Sequence, residues 1–158
     1  MPVSLDAIDW QILTILQADA SLSTAEIASR VGASQSSCWR RIEKMQEAGI
    51  IKRRVAILDR QKLGLGSMVF AHVKLQGHGQ RSLPQFEEAV RKFPEVMECH
   101  TLLGEQDYLL RVVTKDVQAY ETFFRKYLSQ IVSVQFTNSS MALSEVKSTT
   151  ELPLVLLR

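Results

Sequence analysis

Ser23 stands three residues ahead of Glu26, Gly32 closes the short apolar pattern that follows, and Ser34 opens another pattern that stops at Gly49. This punctuation limits the fold more than any other feature of the chain. In a Ser-x-x-Glu spacing each side chain satisfies a backbone amide left free at a helix start. Glycine supplies the left-handed backbone that ends a helix, and serine caps the next one. The spacing therefore predicts a short helix carrying Ala25, Ile27, Ala28 and Val31, a Gly-containing turn, and a helix from Ser34 to Ala48. Ahead of them Leu5, Ile8, Ile12, Ile15 and Leu16 recur at helical spacing over about Leu5 to Gln17, before the polar break Asp19–Ala20–Ser21. Short helix, tight turn and second helix make a helix-turn-helix.

The formal net charge is only +2 over 158 residues, yet it is unevenly spread. Residues 1–29 hold Asp6, Asp9, Asp19 and Glu26 with no Lys or Arg. Residues 30–60 hold Arg30, Arg40, Arg41, Lys44, Lys52, Arg53, Arg54 and Arg60 against Glu43, Glu47 and Asp59, and the remainder is nearly balanced. A basic block laid over a helix-turn-helix suits nucleic acid. The plainer reading is a three-helix bundle with a solvated charged face.

The third helix separates these readings. Cys38, Ile42 and Met45 share one face, while Ser36, Arg40, Glu43 and Glu47 point opposite, with Ser37, Trp39 and Lys44 on the flanks. A helix-turn-helix meets base edges with the N-terminal half of its second helix. Gln35, Ser36 and Arg40 fit that task, since Arg matches guanine O6/N7 and Gln matches adenine N6/N7. Arg41, Lys44, Lys52, Arg53 and Arg54 suit phosphates. With Ser34, Ser37 and Trp39 alongside, they form the candidate DNA-binding set.

Beyond this region the period changes. Ile50 to Leu58, β-branched or basic at most positions, reads as a strand, and residues 59–67 as a short hinge. Strands follow at Met68–Leu75, Val96–Leu103, Tyr108–Thr114 and about Ser133–Leu143, with helices at about Ser82–Lys92 and after Asp116. A Gly/His/Gln loop follows the first of these strands. The order β-α-β-β-α-β is the ferredoxin-like split unit, four antiparallel strands with two helices on one face. The fold class is thus α+β, a helix-turn-helix with a strand behind it followed by a ferredoxin-like domain. The strands carry Phe70, Val73, Leu102, Leu110, Val112 and Phe136, apolar on both sides of the sheet, so a second copy is expected to cover the free face.

Catalytic signals are absent from this reading. His72, His78 and His100 lack metal-ligand spacing, Cys99 and His100 point to opposite faces of a strand, and no phosphate loop or nucleophile elbow stands out. Cys38 reads as a small buried apolar residue. Two cysteines make no disulfide framework, no apolar run would span a membrane, and Met1–Trp10 does not read as a signal peptide, so a cytoplasmic protein is expected. Gly104–Glu105–Gln106–Asp107–Tyr108 reads first as a hairpin turn. It also offers backbone amides to a carboxylate and Asp107 or Glu105 to an ammonium, the needs of a small zwitterion. Thr137, Asn138, Ser139 and Ser140 form a polar stretch that is either an exposed edge or more of that pocket.

Several spaced blocks in the right order resemble the Lrp/AsnC family of transcription regulators. They are LDAIDWQIL, VGASQSSCWRRIEKMQEAGII, PEVMECH, GEQDYLL and EVKSTTELPL, together spanning nearly the whole chain. The resemblance implies a winged helix-turn-helix over 1–58, a hinge over 59–67, and an effector-binding and oligomerisation domain over 68–158. It implies a sequence-specific regulator of amino-acid metabolism that binds double-stranded DNA as dimers assembling to tetramers or octamers. No cofactor is implied beyond a small amino-acid effector held at a subunit interface. By position, Leu103, Gly104, Glu105, Asp107 and Tyr108 would hold the effector, with Thr137 to Ser140 coming from a neighbouring subunit. Two alternatives stand beside it. One is a siroheme-decarboxylase-like enzyme on the same fold, seeded by His72, His100 and Arg111; the other is an amino-acid sensor that does not bind DNA.

Overall fold

The computed structural model describes residues 4–76 and 82–157, so the expected Gly/His/Gln loop lies outside the described residues. The chain separates into two compact units, one formed by Met1–Ile57 with Lys147–Arg158, the other by Leu58–Val146.

The first unit contains α1 (Ala7–Ala18), α2 (Thr24–Val31) and α3 (Gln35–Glu47). Ser23 and Glu26 form the reciprocal cap at the start of α2, and Gly32 ends it with φ +66°. Ser34 Oγ accepts the Ser37 amide at 3.2 Å and starts α3. Ile12, Leu16, Ile27, Ala28, Cys38, Ile42 and Met45 make the core between the helices. The last residues of the chain join this unit: the Gln17 side-chain amide donates to the Leu152 carbonyl at 3.1 Å and accepts the Leu152 N–H at 3.0 Å.

Ile50–Leu58, expected as a strand, forms none. Residues 52–58 have no regular structure, and Val55, Ile57 and Leu58 are exposed. β-Branched residues favour a strand only where a neighbour takes up their N–H and C=O groups. Every strand of the described residues lies between Ser67 and Met141, and none pairs with this segment.

In the second unit β1 (Ser67–Leu75), α4 (Ser82–Val90), β2 (Val96–Thr101), β3 (Tyr108–Thr114), α5 (Val117–Lys126) and β4 (Val134–Met141) follow in the expected order. The sheet runs β2-β3-β1-β4 with antiparallel pairing throughout. Strand alternation sends Val69, Ala71, Val73, Leu75, Tyr108, Leu110 and Val112 into one core with Phe86 and Val90 of α4, Tyr120 and Phe123 of α5, and Leu128. Each side chain of this size contributes roughly 1.5–3 kcal/mol when fully buried. Val73, Leu110 and Val112 therefore belong to the helix-covered side, whereas Phe70 and Phe136 stay on the strands without such burial. β1 slips its register with β4 between Lys74 and Leu75.

Candidate nucleic-acid interface and effector turn

Burial of Cys38, Ile42 and Met45 fixes the roll of α3 about its axis. Gln35, Ser36, Trp39, Arg40 and Lys44 are consequently exposed, and Ser37 is half-buried. Two depressions flank the helix. One, of about 580 Å³, is lined by Thr24, Gln35, Ser36 and Trp39 and carries no charge. The other, of about 370 Å³, is lined by Ser37, Arg40, Arg41 and Lys44 together with Ser4, Asp6 and Asp9. Lys52, Arg53 and Arg54 are exposed on the extended segment beyond α3. They also border a cleft of about 410 Å³ with Leu13, Leu16, Leu152 and Leu154.

Arg41 is placed differently from its neighbours. Its Nη1 donates to Asp6 Oδ2 at 2.7 Å and to Asp9 Oδ1 at 2.8 Å. Both acids belong to the start of α1, where Asp6 Oδ1 accepts the Ile8 and Asp9 amides and Asp9 Oδ2 accepts the Asp6 amide. Those backbone hydrogen bonds, and then the Arg41 guanidinium, hold the Asp6 carboxyl below its ordinary range. Arg41 is thus engaged in joining α3 to α1. The signal for this was present as Asp-x-x-Asp just before an apolar run, a capping spacing written in two acids.

The turn between β2 and β3 divides its residues. Leu103, Gly104 and Glu105 are exposed, and Gly104 has φ +152°, a backbone that favours glycine. Asp107 and Tyr108 are buried. Asp107 Oδ2 accepts the Leu75 amide at 2.8 Å, and Lys74 Nζ lies 3.3 Å from Oδ1. The carboxylate expected to meet an ammonium therefore already serves the register slip of β1. The Tyr108 hydroxyl donates to Glu87 Oε1 at 2.9 Å; burial first, and then that carboxylate, push its pKa up to about 12. Val73 stands between Tyr108 on β3 and Thr137 on β4, so Thr137 shares their face. Ser139 is on the same side, hydrogen-bonded to the Tyr120 hydroxyl, while Asn138 and Ser140 alternate to the other. The buried Gln106 Oε1 and Thr137 Oγ1 have no hydrogen-bond partner.

The same alternation and pairing put His72, His100 and Arg111 on the open side of the sheet. Glu98 lies among them, bonded to Arg111 and His100, and those two contacts hold its carboxyl below the ordinary range. Glu98 thereby offsets the positive charge that Arg111 would otherwise offer a polycarboxylate. Among the described residues no group of three His, Cys, Asp or Glu side chains could hold a metal ion, and no helix is long and apolar enough to cross a membrane.

Residues 5–52 match a family model described as winged helix-turn-helix DNA-binding, and residues 68–152 match the Lrp/AsnC ligand binding domain. The DNA-binding transcriptional activator DecR of Escherichia coli is 35% identical over 150 residues, covering 95% of this chain and 99% of its own. The crystal structure of an AsnC family transcriptional regulator from Agrobacterium tumefaciens is 42% identical with a TM-score of 0.92, over 98% of this chain and 100% of that one. A transcriptional regulator from Neisseria meningitidis, solved as a complex with L-Met, is 37% identical with a TM-score of 0.94 and the same coverage.

Proposed function

Because this chain belongs to the Lrp/AsnC family of DNA-binding transcriptional regulators, we propose that α3 reads its operator and that a small amino acid bound near the Gly104 turn tunes its activity. The observation that carries the first part is the roll of α3, which exposes Gln35, Ser36, Trp39 and Arg40 on the half of the helix that meets base edges. Ser34 and Ser37 sit at the capped end, where hydroxyls and amides can meet a phosphate. Lys44, Lys52, Arg53 and Arg54 supply sequence-independent attraction. Arg41 contributes by holding α3 against α1.

Arg40→Ala tests this reading in a gel shift on the promoter region of the protein's own gene. Specific binding should weaken by about tenfold or more with fold and assembly intact, the worth of one bidentate base contact. Unchanged affinity and specificity would sink the assignment.

For the effector, the exposed residues of the turn would offer backbone amides to a carboxylate, and Gln106 and Thr137 offer buried polar atoms in need of partners. Glu105 is the exposed acid able to meet an ammonium, with Leu103 beside it. Asp107 and Tyr108 then shape the turn from beneath, and Asn138, Ser139 and Ser140 extend the polar edge. That the Neisseria relative was solved with L-Met supports an amino acid as the ligand class. A thermal-shift panel of the twenty amino acids plus cystine tests it, since a specific ligand at a hundredfold excess over its Kd adds about 2.7 kcal/mol of apparent stability. A flat panel leaves the turn as a turn.

Assembly follows from the open sheet face, where Phe70 and the half-exposed Phe136 have no helix over them. A second copy covers them, and dimers associate further, with the effector shifting that equilibrium by its differential affinity for the two states. Sedimentation with and without the ligand measures this directly.

A further inference from the structure

We infer that Trp39 is a specificity-determining residue that reads the C5-methyl group of thymine in the operator half-site. The inference rests on the proposed use of α3 in the major groove and goes further by assigning a chemical group to one side chain. The other apolar side chains of α3, Cys38, Ile42 and Met45, are all buried, whereas Trp39 is 54% exposed. The core does not take it up, and the exposed part of its indole is open to a partner.

The surroundings say what kind of partner that is. Gln35 and Ser36 lie one helical turn before Trp39, and with Thr24 from the start of α2 they line the uncharged depression of about 580 Å³. The cations Arg40 and Lys44 line the other flank. The outward surface of α3 is therefore split into a charged side, where Arg40, Arg41 and Lys44 stand with Asp6 and Asp9, and a side that carries no charge. An indole can offer a phosphate only its single N–H as a donor. In the major groove the apolar group offered by the bases is the thymine methyl. Gln35 on the same flank matches adenine N6 and N7. One helical turn advances about 5.4 Å, against about 3.4 Å for each base step. Gln35 and Trp39 thus reach base pairs about one or two steps apart, and the pair of residues selects A·T pairs at that spacing.

The test takes the duplex most enriched by the full-length wild-type protein from a random library and prepares it in two forms, with thymine and with uracil. The exchange removes the methyl groups and leaves every hydrogen-bonding edge in place. Wild-type protein should bind the uracil duplex about fourfold more weakly for each contacted methyl, the worth of one buried methyl group. Trp39→Ala should bind both duplexes alike, near the wild-type level on uracil. Arg40→Ala should weaken binding to both and keep the thymine preference. Equal wild-type affinity for the two duplexes, or a thymine preference that survives Trp39→Ala, would overturn the role of Trp39 while leaving the DNA interface standing. Failure of the wild-type protein to enrich any duplex would overturn both.

Discussion

Arg41 Nη1 lies 2.8 Å from Asp9 Oδ1, so one cation of the basic block is tied to the first helix of the same unit. The link also takes in Asp6, and the Arg41 side chain is only 28% exposed. Its charge is compensated before DNA arrives. Arg41→Gln should lower the melting temperature by a few degrees and leave the salt dependence of DNA binding unchanged. Lys44→Gln should do the reverse, reducing the slope of log K against log salt by about 0.9. Titrations at several salt concentrations, with melting curves alongside, separate the two.

Asp107 is 8% exposed and accepts the Leu75 amide where β1 slips past β4. Asp107→Ala leaves that buried amide unpaired and should cost about 1–3 kcal/mol in urea unfolding. Asp107→Asn retains an acceptor and should recover part of the loss. Equal losses for the two substitutions would mean that charge pairing with Lys74, rather than the amide bond, is the main contribution.

Tyr108 gives an alkaline signature. Its folded pKa of about 12 lies above the ordinary value of 10, so the folded protein holds this proton more tightly than the unfolded chain. The stability it contributes is fully present below pH 10 and is lost as pH rises from 10 towards 12. Tyr108→Phe should flatten the decline in melting temperature across that window. An identical decline in both proteins would show that other groups cause it.

Gln17 and Leu152 exchange two hydrogen bonds although the residues lie far apart in sequence. The Leu152 amide should therefore exchange slowly with deuterium for an exposed segment. Gln17→Ala should accelerate it by about tenfold, with the amides of α5 unaffected. Fast exchange in the wild-type protein would contradict the contact.

Local punctuation carried most of what was legible in the sequence. Ser23 with Glu26, Gly32 and Ser34 act within a few residues of themselves, so the helix-turn-helix and the outward set on α3 could be read directly. The order of strands and helices beyond Met68 was legible for the same reason. What escaped is non-local. The β-branched run at 50–58 has strand-forming residues but no partner strand, and propensity alone does not supply one. Val73, Leu110 and Val112 could be assigned to a face only once the pairing register was known. The pairing of Arg41 escaped because its acids sit in a different helix. The bond that Asp107 makes escaped because the irregularity it satisfies belongs to β1.

The unit that carries α3 is discontinuous in sequence, since Lys147–Arg158 belongs to it alongside Met1–Ile57. The ligand-binding unit is thereby an insertion in sequence, entered near residue 57 and left near residue 146. A fragment ended at the hinge would lack Leu152 and Leu154, leaving Gln17 and the apolar cleft beside it uncovered. The helix-turn-helix cut from its returning C-terminal segment is then an incomplete object.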